Sequence, residues 1–293
     1  MKSFRVEGCG TALVTPFRDG QVDYDAYAAL VDRQVAAGID FLVPLGTTGE
    51  TPCLCDEEKQ KILQIAREHA GGRPVIAGVG TNSLMHTIAN IKLLEPYGAD
   101  AWLVVAPYYN KPNQEGLYKY FKAVAGATDK PIILYNVPGR TGSNISAETT
   151  LKLANIDNIA GIKEASSNYS QISAILKEKP ENFMVLSGND SETLSLMATG
   201  AEGIISVASN LVPEEMVALS HAMLDGDIHK ARELHHRLSP LFKSCFIESN
   251  PIPAKAGLAS MGLIENELRL PLVPASDKTT AIMEATLSNL GYL

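Results

Sequence analysis

Long apolar runs are missing from this chain of 293 residues. None approaches the ~20 residues that a membrane-spanning helix needs, so no transmembrane segment is expected. The opening stretch, MKSFRVEGCGTALVTPF, carries two cations but no continuous apolar segment before the first strand-like run. No secretory leader is expected there, and the chain reads as cytoplasmic. An excess of positive charge is missing too: 25 Lys plus Arg stand against 33 Asp plus Glu, for a net charge of −8. With no basic patch to offset it, this argues against a nucleic-acid partner. Cysteine is scarce, and of Cys9, Cys53, Cys55 and Cys245 only the middle two are close in sequence. C-x-C alone is not a zinc spacing, so the four read as free thiols of a reducing compartment. The six histidines form no H-E-x-x-H or H-x-x-x-H pattern. His235 and His236 are adjacent, would point about 100° apart on a helix, and read as exposed. No metal and no organic cofactor is expected.

What the chain has is a repeating unit. With 45% hydrophobic and 20% charged residues it can bury one large core. Eight short apolar runs recur: GTALVTPF, FLVPLGTT, PVIAGVGT, AWLVVAPYY, PIILYNVPG, IAGIKEAS, FMVLSGND and GIISVASN. They are nearly continuous in apolar residues rather than alternating, as strands buried on both faces are. Helix-like segments lie between them. Asp23 precedes one, Ser146 with Glu148 opens another, and Gly38 and Gly98 close two. Eight strand–helix units are the count of an α/β (β/α)8 TIM barrel. An open doubly wound sheet would call for G-x-G-x-x-G after the first strand, where the chain has RDGQVD instead. After Asn210 the strand signal stops. The reading is a barrel over residues 1–224 and a C-terminal three-helix region over 225–293.

Barrel active sites form at the C-terminal ends of the strands, so the polar groups there are the candidates. LGTTGE after the second strand offers Thr47, Thr48 and two glycines. It is either a plain turn or a small anion cradle of adjacent N–H groups. The fourth strand ends in Tyr108 and Tyr109, which point to opposite sides. In YNVPGRTG, Tyr135 lies on the fifth strand, and Arg140 in the following turn has a fork suited to a carboxylate. Gly188 and Ile205, near the ends of the last two strands, leave room for a ligand. No basic residue lies in those two loops, which argues against a phosphorylated substrate.

Lys163, in the middle of the sixth run, is the least expected residue. Facing the barrel axis it is drawn out of water, which favours the neutral amine. Such an amine attacks carbonyls and forms Schiff bases. The alternative is an ion pair with Glu164 or Glu50, and the stretch alone does not decide between them.

With these pieces in order, the chain resembles, over essentially its whole length, the pyruvate-dependent Schiff-base aldolases and lyases. The landmarks are GTALVTPF, GTTGET, APYYNKPNQEGLYKYF, YNVPGRTG, GIKEAS, GNDSETLSLMATGAEGIISVASN and NPIPAKAGL. The resemblance implies that Lys163 condenses with pyruvate. It implies a proton relay of Thr47, Tyr135 and Tyr109, the last reaching in across a tight dimer interface. Thr48 and its turn would cradle the pyruvate carboxylate, and Gly188 and Ile205 match backbone positions near the bound pyruvate. Arg140 matches the residue that holds the carboxylate of a second substrate, aspartate 4-semialdehyde, in the diaminopimelate route to lysine. Sialic-acid lyases and 2-keto-3-deoxy sugar-acid aldolases of the same family lack that arginine, and the lyases resemble GSTGE. A non-catalytic keto-acid-binding barrel would be expected to have lost Lys163 or Tyr135. The family implies a homotetramer built as a dimer of tight dimers. It also implies an effector site for lysine near Asn82 and Tyr108. Here Asp56 and Lys59 stand where inhibited relatives carry histidines, and His86 where they carry glutamate. Repulsion by Lys59 leads to an expectation of weak or absent feedback by lysine.

Overall fold

The computed structural model describes residues 4–293. Residues 1–3, the first of those read for a leader, lie outside it. The eight apolar runs each contain one strand of a single sheet: β1 (Gly8–Ala12), β2 (Phe41–Val43), β3 (Ile76–Gly78), β4 (Ala101–Val105), β5 (Ile132–Asn136), β6 (Ile159–Glu164), β7 (Met184–Ser187) and β8 (Gly203–Ser206). Every pairing is parallel, and β1 lies between β2 and β8. A parallel bridge between Leu42 and Val75 joins β2 to β3 and closes the ring. The fold is therefore the expected TIM barrel.

The strands are shorter than the runs that announce them, because each run also contains the turn that follows. The first run carries a feature that periodicity does not reveal. Its last residue, Phe17, leaves the barrel and starts a two-residue antiparallel hairpin, Phe17–Arg18 with Gln21–Val22.

Helices cover the outside: α1 (Tyr24–Ala36), α2 (Asp56–His69), α3 (Leu84–Leu94), α4 (Gln114–Ala125), the single turn α5 (Pro138–Thr141), α6 (Ala147–Leu153), α7 (Tyr169–Glu178), α8 (Thr193–Ala198) and α9 (Pro213–Leu224). The caps do the work read from the sequence. The Asp23 side chain accepts from the Ala26 N–H at 3.0 Å, and Ser146 Oγ accepts from the Thr149 N–H at 3.2 Å. Three helices follow, α10 (Ile228–Ser244), α11 (Ile252–Ser260) and α12 (Asp277–Leu290). His235 on α10 is half-buried rather than exposed. Burial lowers its pKa from the usual histidine value, and the neighbouring His236 adds to the effect.

Two apolar layers result. The larger lies between sheet and helices. The smaller fills the barrel with Ala12, Phe41, Val43, Ile76, Leu103, Ile133, Tyr135, Met184, Leu186 and Ile205. Strand β5 shows the alternation that separates them: Ile132 and Leu134 belong to the outer layer, Ile133 and Tyr135 to the inner.

Candidate active site

Register decides which way Lys163 points. On β6 it pairs with Tyr135 of β5 and with Leu186 of β7, and both neighbours belong to the inner layer. Lys163 therefore faces the barrel axis and is only 5% exposed. Its nitrogen lies 4.5 Å from the centroid of the Tyr135 ring. Together they line a cavity at the C-terminal mouth of the barrel.

Both carboxylates that could have claimed this lysine are engaged elsewhere. Glu164, the next residue, points the opposite way. It accepts from Asn136 Nδ2 at 3.1 Å and from the Ser166 N–H at 2.8 Å. Burial raises its carboxyl above the ordinary glutamate range, against the pull of these hydrogen bonds. Glu50 pairs with Lys255 Nζ at 2.7 Å, and both side chains are 0% exposed. Desolvation pushes the Lys255 ammonium down from the usual lysine range, and contact with Glu50 opposes it. Lys163 is left beside an aromatic ring and a cavity.

The turn after β2 forms one wall. Thr47–Gly49 is a single 3-10 turn, and the non-glycine residues on either side of it, Leu45 (φ 59°) and Glu50 (φ 51°), are both left-handed. Backbone held in that region costs of order 1–3 kcal/mol per residue and persists only when its surroundings over-determine it. Here Thr15 Oγ1 donates to Gly49 O at 2.8 Å and Thr51 Oγ1 to Gly46 O at 3.0 Å. Glu50, fastened to Lys255, also accepts from the Arg269 N–H at 3.1 Å. Thr47 and the buried Thr48 both line the cavity.

Arg140 sits on α5 at the opposite rim, also lines the cavity, and donates through Nη2 to Asn250 O at 3.3 Å. Gly188 supplies the floor beside the lysine. A Cβ added there would lie 2.7 Å from Ala165 Cβ and 3.0 Å from Lys163 Cε. Behind it, Asp190 is fully enclosed. It accepts from Ser206 Oγ at 2.5 Å and from the N–H groups of Ala208 and Val207 at 3.1 and 3.2 Å. Burial lifts its carboxyl above the aspartate range, and those bonds together with the charge of Lys163 oppose the rise.

The structure thus brings together Lys163, Tyr135, Thr47, Thr48, Arg140 and Gly188. Two residues read from the sequence do not line the cavity. The Ile205 side chain is fully buried in the inner layer, which leaves its reading as a backbone position near the ligand untouched, and Val207, two residues on, lines the cavity. Tyr109 is 87% exposed, with a left-handed φ of 72°, and does not reach the cavity of its own chain.

The residues named for an effector lie on the outside. Asn110 Nδ2 donates to Asn82 O at 2.9 Å, and Tyr108 is exposed. His86 is exposed on α3. Lys59 pairs with Asp56 at 3.0 Å within α2 and its side chain is only 15% exposed.

Sequence reasoning missed Asn189, Phe246 and, above all, Asn250, which all line the cavity. Asn250 arrives from just ahead of α11, and its Nδ2 donates to Thr48 Oγ1 at 2.9 Å. Its one signal was its place at the head of NPIPAKAGL. Phe246 and Asn189 are shared with a wider adjoining cleft that also includes Ser167, Glu192, Phe242 and Lys243. Among the described residues, no three of His, Cys, Asp and Glu gather as a metal-ligand set. Among the same residues no helix is long and apolar enough to cross a membrane.

The family model described as the Dihydrodipicolinate synthetase family matches residues 5–290. The 4-hydroxy-tetrahydrodipicolinate synthase of Thermotoga neapolitana is 48% identical over 291 residues, covering 98% of this chain and 99% of the other. The crystal structure of dihydrodipicolinate synthase from Thermotoga maritima superposes with a TM-score of 0.97 at 46% identity, covering 98% of this chain and 99% of that one. That of the chloride-inhibited dihydrodipicolinate synthase from Acinetobacter baumannii, complexed with pyruvate, superposes with a TM-score of 0.96 at 39% identity, covering 99% of this chain and 100% of that one.

Proposed function

The chain belongs to the dihydrodipicolinate synthetase family, and from that membership and the cavity around Lys163 we propose that it condenses pyruvate with L-aspartate 4-semialdehyde to give 4-hydroxy-tetrahydrodipicolinate. The reading rests on one observation above the rest: a lysine on the inner face of the barrel, with an open cavity beside it, while its two possible carboxylate partners are bound elsewhere.

The division of labour follows from the chemistry. Pyruvate is an anion, and the Thr48 hydroxyl with the N–H groups of its turn receives the carboxylate. Lys163 Nζ attacks the ketone carbon and water leaves, giving a protonated imine. That cation is an electron sink, so a methyl proton is lost and an enamine forms. Gly188 leaves the space that the Lys163 stem and the bound keto acid occupy. The enamine carbon attacks the aldehyde of the second substrate, whose carboxylate Arg140 holds as a bidentate partner. The amine of that substrate then displaces Lys163 and closes the ring. Each step moves a proton. Tyr135, Thr47 and a Tyr109 from a second copy of the chain form a hydroxyl path for it without a free charge.

No organic cofactor or metal is needed in this scheme. Pyruvate and the semialdehyde are the partners. The proposed enzyme is cytoplasmic, works in diaminopimelate and lysine biosynthesis, and assembles as a homotetramer of two tight dimers, with Tyr109 requiring at least the dimer. Feedback by lysine at the Asn82, Tyr108, His86 and Lys59 surface is proposed to be weak, to be checked by a lysine titration.

Borohydride reduction in the presence of pyruvate, followed by peptide mass mapping, tests the scheme. The expected adduct lies on the peptide that contains Lys163, and an unmodified peptide would remove the imine. Arg140→Ala is expected to leave that adduct in place and to lower kcat/KM for the semialdehyde by about a hundredfold, the scale of a lost charged bidentate contact. Equal loss of trapping and turnover would make Arg140 a structural residue. N-acetylmannosamine and glyceraldehyde, aldehydes of the sister aldolases, are expected to give no product.

A further inference from the structure

We propose that Asn250 recognises the amino group of the second substrate and is the residue that selects an α-amino acid semialdehyde over the same molecule without its amine. The inference rests on the function proposed above and assigns a role that the scheme leaves empty: Arg140 takes the carboxylate of that substrate, and nothing yet named takes the amine beside it.

The carboxamide is placed for this. Asn250 is 5% exposed and lines the cavity. Its Nδ2 donates to Thr48 Oγ1 at 2.9 Å, on the pyruvate side. Its backbone carbonyl accepts from Arg140 Nη2 at 3.3 Å, on the semialdehyde side. Its Oδ1 is buried and has no hydrogen-bond partner. The other buried side-chain polar atoms left unpaired among the described residues belong to Tyr27, Thr150 and His235, and none of these lines the cavity. A buried acceptor without a donor is costly and uncommon in a folded protein. The residue that carries it lines the cavity between the two substrate seats, and a turn of the carboxamide toward that space would let a donor that arrives with the substrate remove the cost.

The second substrate brings such a donor to that spot. Its amine and carboxylate share one carbon, so a carboxylate on the Arg140 fork carries the amine to within reach of Asn250. A neutral amide suits the later step better than a carboxylate does. It accepts an N–H bond from either the ammonium or the free amine, without holding the extra proton in place. Ring closure needs the free amine. Its nitrogen attacks the imine carbon, the bond from that carbon to Lys163 Nζ breaks, and one proton passes from the attacking nitrogen to Lys163. No further reactant is consumed.

The test compares Asn250→Ala and the isosteric Asn250→Asp with the full-length parent, using L-aspartate 4-semialdehyde as substrate and succinate semialdehyde as the amine-free probe. For Asn250→Ala, KM for the amino substrate should rise on the order of tenfold to a hundredfold, the range for a hydrogen bond to a charged group. Inhibition by succinate semialdehyde should change by less than about threefold, and borohydride trapping of pyruvate should fall by no more than roughly tenfold, the scale of the one neutral hydrogen bond lost to Thr48. For Asn250→Asp, KM should stay near the parent value while kcat falls and its optimum moves to higher pH, because the new carboxylate keeps the amine protonated. Equal weakening of both semialdehydes, loss of trapping in parallel, or an unchanged KM in Asn250→Ala would overturn the assignment. Failure of the parent itself to trap pyruvate is a different result, and it would remove the proposed function rather than the reading of Asn250 alone.

Discussion

At the scale of single residues, the site depends as much on an atom that is left out as on those present. A β-carbon at Gly188 would fall 2.7 Å from Ala165 Cβ and 3.0 Å from Lys163 Cε. The backbone cannot retreat easily, because the Gly188 N–H is tied to Glu164 O at 2.8 Å, one residue beyond the lysine. The lysine stem would have to move, and a reacting nitrogen displaced by about 1 Å loses on the order of a hundredfold in rate. Gly188→Ala is therefore expected to slow borohydride trapping of pyruvate by about that factor. Its stability should fall by only about 1–3 kcal/mol, the usual cost of one extra methyl in a packed interior. A variant that traps pyruvate at the parental rate would show that the stem has room to spare. Lys163 stood out in the sequence because a charge in an apolar run is a local signal, but its role and that of Tyr135 came from the family resemblance, since neither alternation nor composition distinguishes a reacting side chain from a packed one. Asn250 was not legible, because its partners Thr48 and Arg140 are 202 and 110 residues away in sequence.

At the scale of elements, α11 anchors the turn after β2. It is buried along nearly its whole length, and Lys255 from it reaches Glu50, Thr15 O at 2.9 Å and the face of Phe17, 4.2 Å from the ring centroid. These contacts hold Glu50 in its left-handed conformation and with it the Thr47–Gly49 turn. Burial pulls the Lys255 pKa down and contact with Glu50 opposes it; a fully buried pair of this kind sets position more than it adds stability, because desolvation of both charges offsets their attraction. Lys255→Met alone leaves a buried carboxylate uncompensated and should cost about 3–5 kcal/mol. Glu50→Gln with Lys255→Met keeps an acceptor for the Arg269 N–H and should recover most of that loss. Thermal unfolding of both variants checks it, and a double variant no more stable than the single one would show that the ion pair itself stabilises the fold. The same element marks the limit of periodicity. The eight strands were legible because both faces of each are buried. The Phe17–Val22 hairpin was not, since two-residue strands carry no period. That α11 would reach the mouth of the barrel was not legible either, because an all-round apolar helix does not say what it packs against.

At the scale of the whole molecule, the proposed dimer gives the exposed Tyr109 a role. Its ring is 87% exposed on a left-handed backbone and does not line the cavity of its own chain. The Tyr109 N–H donates to Thr141 O at 3.2 Å, which ties this backbone to α5, the turn that carries Arg140. A second copy related by a twofold axis would receive this ring while giving its own, so each site would hold Lys163 from one chain and Tyr109 from the other. Complementation tests this. Lys163→Ala and Tyr109→Phe are each expected to be nearly inactive alone. In a hybrid dimer of the two, one site has lost both groups and the other has Lys163 and Tyr109 intact. After subunit exchange in an equal mixture, half of the dimers are hybrids, so activity should rise to about a quarter of the parental value. A mixture that stays as inactive as its components, with exchange verified by mass, would place Tyr109 outside the site of its neighbour and make its effect one exerted within its own chain.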